Sequence, residues 1–234
     1  MLSFGFWNVR GMNRKHKQLV INKFLLENNA GIFGLIETKI KPTNVNKVMA
    51  IFNNWSISTN TACHPGGRIW ILRQANLYNV QFIEYDSQYI HMHITTQPDN
   101  LSFHWMVVYA FNGDFNCVLN ADERIGGAFS RADAEPFLNY IHQCDLMDSP
   151  SIEAFYTWNN KQCPEDRVYS KLDRWLINQE WQDKFPELVA NFLPEGLFDH
   201  TPCLVRNGCH QVAKVRPFKY FNMWSKAANF SEVV

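Results

Sequence analysis

Apolar and polar positions follow two rhythms along this chain, and the changes between them mark its elements. Leu2 to Val9 is a bulky apolar run ending on Trp7 and Asn8, which predicts a strand. Lys15 to Asn29 has helical spacing, with Leu19, Phe24, Leu25 and Leu26 as the apolar face and Asn28-Asn29 as the exit. Gly31 to Ile36 is almost continuously apolar, the mark of a strand buried on both faces, and it delivers Glu37 to that strand's end. A shorter helix follows over Asn44 to Phe52. Strands are then predicted over Trp55 to Thr59, Arg68 to Leu72, Val80 to Tyr85, Tyr89 to Thr95 and Phe103 to Phe111. From Tyr89 to Ile94 the text alternates, with Ile90, Met92 and Ile94 on one side and Tyr89, His91 and His93 on the other. Arg131 to Cys144 reads as an amphipathic helix, and Leu172 to Asn178, Leu188 to Phe192 and Pro202 to Val205 as later strands.

Strand, helix, strand, helix, then a strand-rich middle, then helix and strands, is the order of an α/β sandwich built on two packed sheets. No repeat or low-complexity tract interrupts residues 1–211. Residues 212–234 read as a basic and aromatic connector, carrying Lys214, Arg216, Lys219, Tyr220 and Trp224.

Composition narrows the chemistry. Lys+Arg and Asp+Glu both number 22, so the chain lacks the strongly basic balance of a protein that merely coats nucleic acid. The six cysteines form no CxxC pair, and no secretory leader is present, so reduced, scattered thiols are expected. Cys203, Cys209 and His210 match no common zinc spacing. No apolar run approaches the roughly 20 residues that cross a bilayer.

Five short stretches carry the candidate chemistry: Trp7-Asn8-Val9-Arg10-Gly11, Ile36-Glu37-Thr38, Gly113-Asp114-Phe115-Asn116, Lys171-Leu172-Asp173-Arg174 and Asp199-His200-Thr201-Pro202. Each alone has an ordinary explanation as a turn or a strand edge. Together they supply carboxylates, amides and one imidazole, the groups that hold a hard divalent ion and attack a phosphodiester. On residue chemistry alone His200, beside Asp199 and oriented by a second carboxylate, is a candidate base for activating water.

In this order the stretches resemble the endonuclease/exonuclease/phosphatase superfamily. More narrowly, the chain is similar to the apurinic-type endonuclease domain of plant LINE (non-LTR) retrotransposons. Gly67-Arg68-Ile69-Trp70-Ile71-Leu72, Val108-Tyr109-Ala110-Phe111-Asn112, Thr157-Trp158-Asn159-Asn160 and Arg216-Pro217-Phe218 extend the likeness from Ser3 to about Trp224. The resemblance implies a DNase I-like fold, a four-layer sandwich of two packed mixed β-sheets flanked by helices. It implies magnesium, with manganese as the alternative, held by Glu37 with Asn8 beside it and Asp199 in support. Asp114 would position or deprotonate the attacking water, and Asn116 would bind the scissile phosphate. His200 would stabilise charge on a phosphate oxygen, Asp173 would orient His200, and Tyr109 would border the phosphate. In this scheme His200 is an electrophilic partner, and the sequence does not choose between that role and a base. The implied biology is nicking of target DNA in the nucleus, to prime a reverse transcriptase domain absent from these residues.

Three departures qualify the resemblance. Tyr109-Ala110-Phe111-Asn112 runs directly into Gly113-Asp114-Phe115-Asn116, whereas a helix and a strand separate these motifs in the family. A deletion between Asn112 and Gly113 is expected to displace Tyr109 or Asp114, or to remove a central strand. Phe198 stands where a small serine is usual, and is expected to crowd or shield the site. Arg10 stands where abasic-site repair enzymes carry an aspartate, which favours the retrotransposon branch. The leading expectation is a magnesium-dependent DNA endonuclease with impaired chemistry. The alternatives are a phosphatase of the superfamily, an inactive nucleic-acid-binding remnant, and an unselected gene fragment with no stable fold.

Overall fold

The computed structural model describes residues 2–63, 68–109 and 117–207. In chain order the elements are β1 (Ser3–Asn8), α1 (Lys15–Glu27), β2 (Ile32–Ile36), α2 (Val45–Ile51), β3 (Ser56–Thr59) and β4 (Ile69–Arg73). Next come β5 (Tyr78–Tyr85), β6 (Tyr89–Thr96), β7 (Ser102–Val108), β8 (Arg124–Ile125), α3 (Arg131–Gln143), β9 (Met147–Asp148) and β10 (Ser151–Glu153). The last are β11 (Trp158–Asn159), β12 (Tyr169–Ser170), β13 (Leu176–Ile177), α4 (Gln179–Lys184), β14 (Leu188–Phe192) and β15 (Cys203–Asn207).

A mixed seven-stranded sheet in the order β10-β14-β15-β1-β2-β4-β3 forms the spine. β1 is parallel to β2 and antiparallel to β15. The continuous apolar runs are explained by burial on both faces. Phe4, Phe6, Ile32, Ile36, Ile69 and Ile71 point to one face, while Phe33, Leu35, Trp70 and Leu72 point to the other. The second set packs under α1 and α2 on Ile21, Leu25, Val48 and Phe52. The first meets the antiparallel sheet β5-β6-β7 through Ile90, Met92, Ile94, Phe103, Trp105 and Val107. β13 and β9 form a separate two-stranded ladder on the same core, and β11-β12-β8 a small third sheet. The fold is thus the expected α/β arrangement of a large mixed sheet with further sheets and flanking helices.

Two details correct the sequence reading. In α1 the buried residues are Gln18, Ile21 and Leu25, whereas Leu19 and Leu26 are about half exposed. The three- and four-residue steps from Gln18 to Ile21 to Leu25 set the buried face, and Leu19 and Leu26 flank it. The strand expected over Leu172 to Asn178 shrinks to Leu176–Ile177, because the preceding residues are held by side chains of the site described below. The junction between Asn112 and Gly113, the Gly67 position, the Cys209/His210 pair and the connector at 212–234 lie outside the described residues. Cys63, Cys144, Cys163 and Cys203 are free thiols, with Cys203 buried in β15.

Gly5 sits where β1 and β15 close on each other. A Cβ there would meet the Cys203 carbonyl oxygen at 2.1 Å, a contact with backbone that no rotamer relieves. Overpacking of this kind costs about 1–3 kcal/mol. Gly5→Ala is expected to lower unfolding stability by about 1–3 kcal/mol in urea titrations. A stability within experimental error of the parent would show that the spine tolerates a wider β1–β15 spacing.

Candidate active site

The site forms at the carboxyl ends of β1 and β2. Parallel register sets Asn8 opposite Ile36, so Glu37 emerges next to Asn8. The chain turns sharply here. Arg10, Glu37 and Lys39 all take left-handed backbone, with φ of 41°, 55° and 48°. Residues with a Cβ resist that region by roughly 1–3 kcal/mol, so the surroundings must hold them. They do so through main-chain bonds from Val9 N–H to the Ile36 carbonyl at 2.9 Å, Gly11 N–H to Glu37 at 2.7 Å and Met12 N–H to Thr38 at 2.9 Å. Lys17 adds its ammonium to the carbonyls of Val9 and Gly11, both at 3.0 Å.

Glu37 is buried. Its Oε1 accepts from Asn8 Nδ2 at 3.1 Å, and its Oε2 pairs with Lys39 Nζ at 2.6 Å. Burial opposes the charged form, but Lys39 and Asn8 outweigh it and hold the carboxyl below its usual range. Asn8 Oδ1 accepts the Arg10 N–H at 3.1 Å, which fixes the amide orientation.

β15 runs antiparallel to β1, and so brings the residues before Cys203 back to the end of β1. Trp7 Nε1 donates to the His200 carbonyl at 2.9 Å across this seam. His200 Nδ1 lies 2.8 Å from Asp173 Oδ2, with both side chains almost fully enclosed. Burial works against a charged ring, but Asp173 beside it, with Asp199 and Glu37 further off, more than offsets this and raises the His200 pKa. Asp199 turns its carboxylate to the Arg10 guanidinium and to Trp158 Nε1, and is held below the ordinary range against its own burial.

Thr157 ties the two halves together, a role sequence reasoning missed. Its hydroxyl oxygen accepts from the Asp173 N–H at 2.8 Å and the Leu172 N–H at 3.0 Å, and its carbonyl accepts from Thr201 N–H at 2.8 Å. One residue therefore sets the spacing of Asp173 and His200. The motif Thr157-Trp158-Asn159-Asn160 was the signal, visible as a likeness but without an assigned task. Lys39 was missed too, although a lysine two residues from a buried carboxylate is a legible cue.

Asn8, Glu37, Tyr109, Asp173 and His200 all border one cavity of about 410 Å3. Asp199 does not line it, and Asp114 and Asn116 lie outside the described residues. Phe198 does not enter the cavity. Its ring is buried against Trp7, centroids 4.3 Å apart, with the Lys17 ammonium over it, so the expected crowding does not occur.

No family description and no curated protein matches the sequence. Solved structures do match. The endonuclease domain of TRAS1, a telomere-specific non-LTR retrotransposon, is 11% identical over 87% of this chain and 96% of its own, with a TM-score of 0.60. The AP endonuclease LMAP from Leishmania major is 12% identical over 87% of this chain and 86% of its own, with a TM-score of 0.66. The 3'-5' exonuclease NExo from Neisseria meningitidis is 16% identical over 88% of this chain and 99% of its own, with a TM-score of 0.58. The chain has the DNase I-like endonuclease/exonuclease/phosphatase fold. Identities this low carry the fold and leave the chemistry to the residues.

Among the described residues no group of three or more His, Cys, Asp or Glu is arranged as a metal cage. The donor set still suits magnesium, which binds through one or two carboxylates and keeps its waters, rather than through an all-protein cage. Glu37, with the Asn8 amide beside it, is the carboxylate that would hold such an ion.

The Asp173–His200 pair makes a titration test. A histidine whose pKa is raised by folding adds stability that is fully present below the unfolded pKa and is lost as pH rises through the folded one. In the parent chain, the His200 ring protons followed by NMR should titrate above the ordinary histidine range. Asp173→Asn should return that titration to or below it, and flatten the matching alkaline loss of stability. An unchanged His200 titration would show that Asp173 does not govern the ring.

Proposed function

We propose that this chain is a magnesium-dependent DNA endonuclease of the LINE type, cutting one strand of target DNA with reduced efficiency. One observation carries the reading: a buried carboxylate–amide pair, Glu37 with Asn8, and a carboxylate–imidazole pair, Asp173 with His200, open on a single cavity in a nuclease fold. The two pairs suit the two needs of phosphodiester hydrolysis, a seat for a cation and a donor for the charge that develops on phosphate.

In this reading Glu37 and Asn8 hold the divalent ion, which supplies Lewis-acid stabilisation of the phosphoryl oxygens. Asp173 accepts the Nδ1 proton of His200 and so fixes the ring, leaving Nε2 for the substrate. The carboxylates around His200 favour the charged form of the ring, which suits hydrogen-bond donation to a phosphate oxygen and favours the electrophilic role over that of a base. Asp114 would orient the attacking water, Asn116 would bind the scissile phosphate, and Tyr109 would border it. Asp199 would keep Arg10 at the rim and its own charge near the ion. DNA in the nucleus is the substrate, and a reverse transcriptase domain is the expected user of the 3'-hydroxyl.

The reduced rate follows from spacing. Only four residues separate Tyr109 from Asp114. Neighbouring parallel strands need a crossover of a dozen or more, so these side chains cannot top two such strands. A misplacement of about 1 Å costs on the order of a hundredfold in rate. Glu37 is also occupied on both oxygens, by Asn8 and Lys39, which favours a second reading as a nucleic-acid-binding remnant without catalysis.

Nicking of supercoiled plasmid in magnesium, run beside the TRAS1 domain, separates these readings. The expected result is nicking on the order of a hundredfold slower than that domain, abolished in Glu37→Ala and in EDTA. Rates equal to the TRAS1 domain would overturn the impairment, and residual nicking untouched by Glu37→Ala would overturn the site. DNA binding in EDTA with no cutting in magnesium would leave the remnant.

A further inference from the structure

The outer face of the sheet β5-β6-β7 carries an alternation that the active site does not use. In β6 the positions Ile90, Met92 and Ile94 are buried in the core, so His91 and His93 leave the opposite face. β7 is antiparallel to β6, with His104 in register opposite His93 and Met106 opposite His91. Phe103 and Trp105 are buried, so His104 shares the face of the other two histidines. Three of the chain's eight histidines therefore stand on one patch of two neighbouring strands. Glu84 of β5 is the register partner of His91.

The rings are close. His91 Nε2 lies 3.0 Å from His104 Nδ1, and the His104 ring centroid is 5.2 Å from that of His91 and 5.0 Å from that of His93. A hydrogen bond between two imidazoles needs one nitrogen without a proton, and that free base is the form that binds metals. At metal–nitrogen lengths of about 2.0–2.1 Å, two nitrogens on one ion lie about 2.9–3.4 Å apart, from octahedral to tetrahedral geometry. The spacing of His91 and His104 thus serves a shared proton or a shared ion. As they stand the three rings are not arranged as a cage. His104 is exposed, and His91 and His93 are half-buried, so closing one asks for changes of side-chain rotamer and not for movement of the strands.

Opposite residues of an antiparallel pair have Cβ atoms about 4.5–5.5 Å apart, and diagonal ones about 7 Å, so all three rings can reach one point above the two strands. The donor type then decides the ion. Imidazole suits zinc, copper and nickel, whereas magnesium takes oxygen. The patch is thus chemically unlike the pair of Glu37 and Asn8. Metal-bound imidazoles commonly give their second ring N–H to a neighbouring carboxylate, and Glu84, opposite His91, is a carboxylate of that kind. We propose that His91, His93 and His104 form a binding site for one divalent transition ion of the zinc class, which bridges β6 and β7 and keeps water in its remaining positions.

The test titrates zinc chloride into the 234-residue chain by calorimetry at neutral pH, beside His91→Gln, His93→Gln, His104→Gln and the triple variant. One ion per chain is expected at the patch. Each single change should weaken its binding at least about tenfold, the scale on which even the outer partners of metal ligands count. A roughly hundredfold excess of magnesium should leave zinc binding unchanged. Histidine NMR on the parent chain gives a readout that needs no variant: the ring signals of His91, His93 and His104 should move together on adding zinc, while those of His200 stay in place. Zinc binding kept in full by the triple variant, or ring signals of the three that do not move at millimolar zinc, overturns the site. Weakening confined to one single variant overturns the three-ring arrangement. Competition by magnesium at equal concentration overturns the choice of ion.

Discussion

Everything in this molecule hangs on β1 being paired in parallel with β2 and antiparallel with β15. The parallel pairing puts Asn8 and Glu37 at one end of the sheet. The antiparallel pairing returns the chain to that end just before Cys203, where His200 stands. Residues nearly two hundred positions apart thus meet without any loop reaching across the molecule. The Trp7 indole bonded to the His200 carbonyl locks the junction. A one-residue slip of β15 would turn Cys203 and Val205 away from the inter-sheet core and carry His200 from Asp173, so packing and chemistry share a single register.

The same spine explains what the sequence disclosed. Apolar runs at Ser3–Asn8 and Ile32–Ile36 are unbroken because both faces of those strands are covered, and such runs are visible to a reader of sequence. Glu37 stood out because it ends one of them. The ion pairs around it did not, since Lys39 meets Glu37 only through a left-handed turn that periodicity does not encode. Thr157 was hidden for another reason. Its work is done by a hydroxyl and a carbonyl gripping main chain from two distant segments, and nothing in its local pattern foretells them. Leu19 and Leu26 misled because apolar residues are common on surfaces, and spacing alone does not say which neighbouring helical stripe faces inward.

The second layer shows the complementary limit. Its strands β6 and β7 alternate cleanly, and β5 does so until its register shifts after Phe82, yet how many ladders they join depends on partners far along the chain. β13 is shorter than the sequence suggests because Leu172 and Asp173 are committed to Thr157, and Arg174 to ion pairs with Glu123 and Asp148. Buried polar commitments of this kind outrank strand propensity, because an unpaired buried group costs about 1–3 kcal/mol while β-propensity spans about one.

The charges of the site are already balanced without an ion. Glu37 is answered by Lys39, Asp199 by Arg10 and Asp173 by His200. Lys39, Arg10 and the His200 ring thus stand against the three carboxylates, and any divalent ion seated on Glu37 would compete with Lys39 for the same oxygen. The arrangement lets the site fold without an ion. Loss of a water-positioning residue or of an ion would leave the paired charges, the Thr157 clamp and the β1 register in place. A chain whose chemistry has weakened can therefore keep the nuclease architecture intact, and the persistence of that architecture is in itself no measure of turnover.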